Sequence, residues 1–456
     1  MKQQLISKLP FKEKIGYALG DTAANIAWRP LMSFLPIFYT DVFGLPIITV
    51  SLLLLITRLS DGVTDIIMGT IADRTQSRWG KFRPWLLWTS LPFGIFLALT
   101  FTTPNLSLTG KIIWAYFTYI SFTLIYTANN VPYSALMGVM TGNLKERNSL
   151  SSFRFFGAYF GGVISMALIP VLVEYLGNGN DNQGYQYTMY ILAVLMIIFT
   201  LITFSTTKER VYPHHSERQN IIKDFKDLLK NKAWAILLLT GFLFVTYNSI
   251  KQGVTMYYFS YYLHEKIMGG AYLTVLVIVS MLATLIAPPL INTIGKKKLF
   301  IYVMMFSALV NALLYFAGPE DIVMVFIIGS VSELGAAIMP VLFFSMLADS
   351  ADYSEWKNNR RATGLIFSAG TFAMKFGGGL AGAVMLFVMN MYGYDGAAEI
   401  KSVESIQGII LNMSLIPGLF LALAILIMLF YPLSKQKIVQ IENDLKERRE
   451  RNLSHL

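Results

Sequence analysis

The sequence has no cysteine and few charged side chains. Of its 456 residues only 14% are charged, whereas 55% are hydrophobic. Without cysteine the chain can form no disulfide, no thiolate metal site and no cysteine nucleophile. A soluble domain carries about 25% charged residues, so the low charged fraction predicts a membrane protein with many spans.

Recognisable catalytic motifs are also absent. The sequence has only four histidines, and it shows no glycine-rich phosphate loop, no HExxH and no paired metal-ligand spacing. We therefore expect a protein that is not an enzyme and needs no cofactor. The net charge of +10 is placed in short loops between apolar runs, which argues against a nucleic-acid partner and for a lipid bilayer. Residues 1–14 lack the apolar core of a cleavable signal peptide.

Long apolar runs are what the sequence has in abundance. Hydropathy predicts an all-α polytopic membrane protein with about twelve transmembrane helices. Lysine and arginine concentrate in alternate loops, which places both termini in the cytoplasm. The predicted spans lie near residues 16–41, 46–72, 83–103, 111–140, 150–176, 186–206, 233–263, 270–292, 299–317, 320–348, 361–392 and 405–431.

A long polar loop divides these spans into two sets of six. The predicted layout is a six-helix bundle over 1–206, a cytoplasmic loop over 207–232, a second bundle over 233–431 and a cytoplasmic tail over 432–456. Six plus six helices is the layout of the major facilitator fold, in which substrate binds near the membrane midplane. No internal repeat is clear in the sequence itself.

Two acids interrupt the apolar run of the second predicted span. Asp61 and Asp65 are four residues apart, so both lie on one face of a helix. An ionised aspartate at the bilayer centre costs roughly 2.5–3.5 kcal/mol on insertion scales. Coordination of a cation or exchange of a proton would explain their presence. The alternative is a structural pair that lies near the helix end or bonds to Arg58.

Eight segments in order along the chain resemble the glycoside–pentoside–hexuronide:cation symporter family. They are KIGYALGD, FYTDVFGLP, RLSDGVTDIIMG, ADRTQSRWGKFRPW, YTANNVPYSAL, SFRFFGAYFGG, LADSADYSEWK and AMKFGG. The resemblance implies uptake of a sugar by alternating access, coupled to sodium or protons. It also implies that Asp61 and Asp65 bind the coupling cation with help from Thr127, while Arg154 and Lys375 lie at the sugar site.

Two sugar-binding acids of the melibiose permease are missing from this chain. Asn25 and Asn130 stand at the matching positions, and Ser134 replaces a tryptophan that stacks near the sugar. We expect Asn25, Asn130 and Ser134 to contact substrate, and Asn130 to supply an oxygen to the cation as well. Loss of an acid at Asn130 favours the proton as the coupling ion, although two close carboxylates can also hold one sodium ion.

Relative to the melibiose permease, the predicted sugar site lacks two acids but keeps basic residues. Arg29 lies one helical turn after Asn25, and Lys251 has apolar neighbours in the seventh span. With Arg154 and Lys375 they would place up to four positive charges around one cavity. An anionic glycoside such as a hexuronide or sulfo-sugar would supply the missing negative charge. The alternative is that Arg29 pairs internally with Asp21 or another acid and that Lys251 snorkels outward, which would allow a neutral oligosaccharide or pentoside.

Two charged clusters lie in predicted cytoplasmic loops, and both are candidates for an inner gate of salt bridges. Topology alone would explain the basic members equally well. The candidate gate residues are Asp73, Arg74, Arg78, Lys81, Asp349, Asp352, Arg360 and Arg361. Glu333, an acid inside the tenth span, could be a packing partner or a site residue.

Two other classes of membrane protein compete with a sugar symporter. A lysolipid-type transporter would not need the polar residues Asn25, Asn130 and Lys375. A non-transporting sensor would be expected to carry an appended soluble domain, which the sequence does not show. We expect a monomer whose partners are a glycoside, a coupling cation and the bilayer.

Overall fold

The computed structural model of the protein consists mainly of long helices. It describes residues 8–141, 143–210, 231–358, 363–398 and 400–454. Six of these helices precede the long polar loop. They are α1 (Phe11–Ser33), α2 (Ile47–Arg74), α3 (Arg83–Thr100), α4 (Leu108–Met140), α5 (Leu144–Gly177) and α6 (Asp181–Thr206). The loop itself, predicted over 207–232, lies mostly outside the described residues.

Nine further helices follow the loop. They are α7 (Lys232–Tyr257), α8 (Lys266–Ile294), α9 (Lys296–Ala312), α10 (Ile322–Ala336), α11 (Ile338–Asn358), α12 (Thr363–Met391), α13 (Val403–Met413), α14 (Leu415–Leu429) and α15 (Lys435–Ser454). The prediction of an all-α chain is therefore confirmed.

Ten helical stretches among the described residues are long and apolar enough to cross a membrane. In two of them consecutive helices join, so that α10 with α11 and α13 with α14 each count once. Neither α1 nor α3 is one of the ten. A multi-span membrane protein is thus confirmed, whereas the count of twelve and the cytoplasmic termini stay predictions.

The chain divides into two compact units, each assembled from separate segments. Unit 1 comprises Met1–His215, Gln252–Ile278 and Gly382–Ile409. Unit 2 comprises the remaining segments, Ser216–Lys251, Val279–Ala381 and Ile410–Leu456. Unit 1 therefore contains α1 to α6 together with parts of α7, α8, α12 and α13.

In unit 1, α1 and α5 approach closely because glycines of α5 face the backbone of α1. A Cβ atom at Gly157 or Gly161 would collide with the carbonyl oxygens of Ala18 or Thr22. The Thr22 hydroxyl donates to the Gly157 carbonyl at 2.9 Å across this contact. Close packing of small residues is typical of helix pairs in membranes, and here it brings polar side chains of α1 within reach of α5.

In unit 2, short polar side chains connect α9 to its neighbours. Ser307 and Ser332 each donate to the other's backbone carbonyl, at 3.0 and 3.2 Å. The Asn311 carboxamide donates to the carbonyls of Met413 and Ser414 at 3.0 and 2.7 Å. These bonds pair the two hydroxyls and the Asn311 amide nitrogen within the protein, as burial of polar groups in a membrane requires.

The backbone contains a repeat that is not evident in the sequence. A five-residue π-helical turn extends α1 at Phe38–Val42, and another extends α7 at Tyr258–Tyr262. Each is followed by a residue with positive φ, Gly44 at 73° and His264 at 55°. Matching turns at the ends of the first helices before and after the long loop are what an internally duplicated transporter fold would produce.

Candidate functional site

The two predicted cation ligands lie on α2, in unit 1. Asp61 is only 5% exposed and accepts a hydrogen bond from Arg58 Nη1 at 3.1 Å. Arg58 is 2% exposed and also donates to the Tyr119 hydroxyl at 3.3 Å. Arg58, which the sequence suggested as a structural partner of the acidic pair, therefore does bond to Asp61. A buried charge of this kind is tolerated in a membrane because its partner compensates it.

Asp65 bonds to a side chain of α4. The Thr127 hydroxyl donates to Asp65 Oδ1 at 3.2 Å, and Thr127 itself is 3% exposed. The structure thus brings together three of the predicted cation ligands, two carboxylates on α2 and one hydroxyl on α4. Hydroxyl and carboxylate oxygens are ligands for hard cations, and a carboxylate can also accept a proton.

Three of the predicted sugar-contacting residues join in a second network of unit 1. Arg154 on α5 forms an ion pair with Asp21 on α1, with Nε 2.8 Å from Oδ2. The Nη2 nitrogen of Arg154 donates to the Ser134 hydroxyl on α4 at 3.1 Å. Asn25 donates from Nδ2 to Asp21 Oδ1 at 3.4 Å. One acid of α1 therefore orients both an arginine and an amide.

Asn130 lies between these two networks on α4. Its Nδ2 donates to the Tyr126 hydroxyl at 2.9 Å. Its carbonyl oxygen Oδ1 is buried and has no hydrogen-bond partner among the described residues. Tyr126, Asn130 and Ser134 follow each other at intervals of four, so they lie along one face of α4. A buried acceptor without a donor is unusual in a native structure, which makes Asn130 Oδ1 a candidate to accept from a ligand or a water molecule.

Trp28 and Tyr126 form an aromatic stack beside Asn130, which the sequence analysis missed. Their ring centroids are 4.6 Å apart with an angle of 27° between the planes. The Arg58 guanidinium lies 4.0 Å from the centroid of the Trp28 ring. The signal in the sequence was the position of Trp28, one turn after Asn25 on the same helical face, although the contact with Tyr126 could not be read from it.

The remaining predicted cations divide between the units. Arg29 in unit 1 is half-buried beside Gly162, where an added Cβ would stand 3.1 Å from its Nε. In unit 2, Lys251 is 2% exposed and donates to the Tyr247 hydroxyl at 3.2 Å and to Ser332 Oγ at 3.5 Å. Lys375, half-buried on α12, also belongs to unit 2.

The candidate gate residues are only partly within the described chain. Asp73, Arg74 and Arg78 are exposed at the end of α2 and in the loop after it. The backbone N–H of Lys81, also in this loop, donates to the carboxylate of Glu209 at 2.9 Å. In unit 2, Asp349 is 8% exposed and pairs with Lys296 at 2.6 Å, while Asp352 is half-buried. Arg360 and Arg361 lie outside the described residues.

A further acid of unit 1, Asp41, has several partners and no role assigned from the sequence. It accepts hydrogen bonds from the hydroxyls of Thr40 at 2.6 Å, Tyr394 at 2.6 Å, and Tyr261. The ammonium of Lys401 lies 4.7 and 4.9 Å from the rings of the same two tyrosines. The Asp41–Tyr394 bond joins positions 353 residues apart, which explains why no local pattern announced it.

Comparison with known proteins shows to which family this chain belongs. A family model described as an MFS/sugar transport protein matches residues 16–435. The inner membrane symporter YicJ of Escherichia coli (strain K12) is 34% identical over 99% of this chain and 97% of its own length. The isoprimeverose transporter of Lactiplantibacillus pentosus is 34% identical over 94% of this chain and 90% of its own length.

The chain belongs to the glycoside–pentoside–hexuronide:cation symporter family. It is accordingly a multi-pass protein of the bacterial inner membrane and a transporter rather than an enzyme. A more distant relative, the glucuronide carrier protein homolog of Escherichia coli (strain K12), is 28% identical over 97% of both chains.

A solved structure supports the fold at lower identity. The bacterial homolog of the human lysosomal transporter Spinster, in an inward-facing and unoccupied conformation, aligns with a TM-score of 0.72. It is 13% identical over 95% of this chain and 99% of its own. This likeness concerns the major facilitator fold alone.

Proposed function

We propose that this protein takes up a glycoside together with one monovalent cation, by alternating access. The observation that carries the proposal is the arrangement of unit 1. Asp61 and Asp65 lie on α2, and Asp65 accepts from Thr127 of α4. The same helix α4 carries Asn130 and Ser134, and Ser134 accepts from Arg154 of α5. Proximity of the two sets lets binding of cation and sugar influence each other.

The charges of the acidic pair favour a single monovalent ion. Arg58 compensates one of the two carboxylates, so within this trio one cation of charge +1 completes neutrality. We infer that a proton bound by the acidic pair Asp61 and Asp65 is the coupling ion, because the amide at Asn130 adds no negative charge to the site. Sodium is the second candidate, since Thr127 Oγ1 and the carboxylates are oxygen ligands.

The preferred substrate is a neutral glycoside. The positive charge of Arg154, counted among those that would attract an anion, is matched by Asp21 at 2.8 Å. Lys251, another of the four, is buried among hydroxyls in unit 2. An ion-paired arginine still donates to sugar hydroxyls through its remaining N–H groups. The relative whose name states isoprimeverose, at 34% identity, agrees with a neutral disaccharide.

An anionic glycoside is the second candidate, and Arg29 is the observation that favours it. Its guanidinium lies against Gly162 of α5, one helical turn from Asn25. Arginine matches a carboxylate with two parallel hydrogen bonds. The more distant relative named as a glucuronide carrier homolog fits this candidate.

Uptake into proteoliposomes tests both parts of the proposal. Labelled isoprimeverose and a labelled glucuronide are each offered under an imposed proton gradient and an imposed sodium gradient. We expect accumulation of isoprimeverose with the proton gradient and little accumulation of the glucuronide. Glucuronide uptake that is lost in Arg29→Ala would replace the neutral substrate by the anionic one. Absence of gradient-driven uptake and of counterflow with both sugars would contradict symport and favour a sensor.

A further inference from the structure

Trp28 lies between the two predicted sites of unit 1. Its indole ring touches Arg58, which bonds to the cation ligand Asp61, and Tyr126, which bonds to the sugar-site amide Asn130. We propose that Trp28 is a coupling residue, which transmits occupancy of the cation site to the sugar site through this series of contacts. The proposal rests on the proposed cation–glycoside symport and names the residue by which one ligand changes affinity for the other.

The first half of the series is a competition for Asp61. Arg58 Nη1 lies 3.1 Å from Asp61 Oδ2, and the Arg58 side chain is 2% exposed, so the pair is buried. A cation or proton that binds this carboxylate reduces its attraction for the guanidinium. Arg58 then keeps its other partners, the Tyr119 hydroxyl at 3.3 Å and the Trp28 ring at 4.0 Å. Cation binding thereby shifts the guanidinium toward the ring, since an aromatic face attracts a positive charge.

The second half of the series ends on an unsatisfied acceptor. The rings of Trp28 and Tyr126 are stacked at 4.6 Å, so a displacement of one ring moves the other. The Tyr126 hydroxyl fixes Asn130 by accepting from its Nδ2 at 2.9 Å. This bond aims the buried Oδ1 of Asn130, which accepts no hydrogen bond within the described chain. A sugar hydroxyl that donates to this oxygen therefore binds more or less tightly according to the position of the ring stack.

The position of Trp28 on α1 supports the assignment. Asn25, Trp28 and Arg29 follow at spacings of three and four, which places them on one helical face. All three are half-buried, whereas their neighbours Ala24, Ile26 and Ala27 are buried. Trp28 thus lies on the same face of α1 as Asn25 and Arg29, the two residues of this helix that are predicted to contact substrate.

Sugar affinity with and without the cation tests this role. Purified protein is titrated calorimetrically with isoprimeverose, and with p-nitrophenyl glucuronide as a second probe, at low and high pH and with and without sodium. In the wild type we expect the cation to raise sugar affinity about 5- to 150-fold, the usual range for coupled sites. In Trp28→Leu we expect a cation effect close to one, because the ring that connects the sites is gone. Trp28→Phe keeps an aromatic face and should recover part of the effect.

Different outcomes would contradict the coupling role of Trp28 and the proposed symport itself. Trp88→Phe alters a 46% exposed tryptophan of the same unit and should leave the cation effect unchanged. A wild-type cation effect that persists in Trp28→Leu, within twofold, would overturn the coupling role while leaving symport intact. Sugar binding that is independent of both cations in the wild type would overturn symport and the coupling role together. If Trp28→Leu does not fold, Trp28→Phe decides the question, since an undiminished cation effect in it would contradict the proposal.

Intrinsic fluorescence supplies a readout that does not depend on sugar. Addition of the coupling cation alone should change the tryptophan emission of the wild type, because a guanidinium next to Trp28 moves. The change should disappear in Trp28→Phe and persist in Trp88→Phe. A cation-induced change of equal size in wild type and Trp28→Phe would contradict movement at Trp28.

Discussion

The two units place their described ion pairs among different predicted residues. In unit 1 the buried acids of the membrane helices meet arginine, as Asp61 does with Arg58 and Asp21 with Arg154. In unit 2 the acid Glu333 accepts from the Ser280 hydroxyl at 2.6 Å, and Lys251 donates to hydroxyl groups. The arginine pairs of unit 1 thus lie among the predicted cation and sugar residues, whereas Asp349, which pairs with Lys296 in unit 2, belongs to the candidate gate. This placement favours unit 1 for the proposed ion chemistry.

The largest effect expected from this comparison is on stability. Arg58→Met removes the partner of a buried carboxylate and should lower the free energy of unfolding by about 3–5 kcal/mol. Ser280→Ala in unit 2 removes one hydroxyl bonded to Glu333 and should cost only about 1.5–3 kcal/mol. Thermal unfolding in detergent or lipid measures both. Asp61→Asn added to Arg58→Met should restore much of the loss, because the uncompensated charge is then gone. Equal losses in the two single variants would contradict the expected difference between losing a charged partner and losing a hydroxyl partner.

The ion pair between α1 and α5 sets the second prediction, which concerns substrate choice. Asp21→Asn leaves the Arg154 charge without this partner and should shift preference from a neutral glycoside toward an anionic one. We expect the ratio of kcat/KM for glucuronide over isoprimeverose to rise about tenfold, equal to about 1.4 kcal/mol. Competitive uptake in vesicles measures the ratio. Glu174→Gln, a change of an exposed acid on α5, is the matched control and should leave it unchanged. An unaltered ratio in Asp21→Asn would show that Asp21 does not control substrate charge.

The sequence predicted which residues share a face of one helix, but it did not predict which residues of different helices pair with each other. The spacing of Asp61 and Asp65 predicted a shared face, and the family resemblance added Thr127, which the structure places 3.2 Å from Asp65. The sequence offered Asp21 or another acid as an internal partner for Arg29, and the structure pairs Asp21 with Arg154, 133 residues away. Two cations of similar chemistry cannot be ranked by sequence when helix packing decides which of them reaches the acid.

Two other predictions show the same limit. Lys251 is not directed outward, the alternative considered for it, because it is 2% exposed and bonded to Tyr247. The roles of Trp28 and Tyr126 depend on ring positions fixed by the packing of α1 against α4, which hydropathy does not encode. Helix type and membrane location were predictable, because apolar length determines both.

The smallest effect concerns an ion pair at the margin of unit 1 rather than in its interior. Hydrogen bonds from the Lys14 ammonium, and from the backbone N–H of Leu9, lower the pKa of Glu146 below its ordinary value. The stabilisation from this group is therefore present above the pKa of an unfolded glutamate and is lost as the pH falls through the lowered pKa of the folded state. Thermal unfolding across the acidic range should show this loss in the wild type and a flatter profile in Glu146→Gln. Parallel profiles for the two proteins would contradict the assignment.

Asp65→Asn tests the central claim, that the acids of α2 bind the coupling cation, most directly. The variant keeps the size of the side chain and an oxygen for Thr127 but removes the charge that a cation needs. Proteoliposomes are assayed for accumulation driven by the ion gradient and for counterflow of the same labelled glycoside without a gradient. We predict that accumulation is lost while counterflow remains, since exchange of sugar needs no net movement of the ion. Gradient-driven accumulation at the wild-type level in Asp65→Asn would contradict the account.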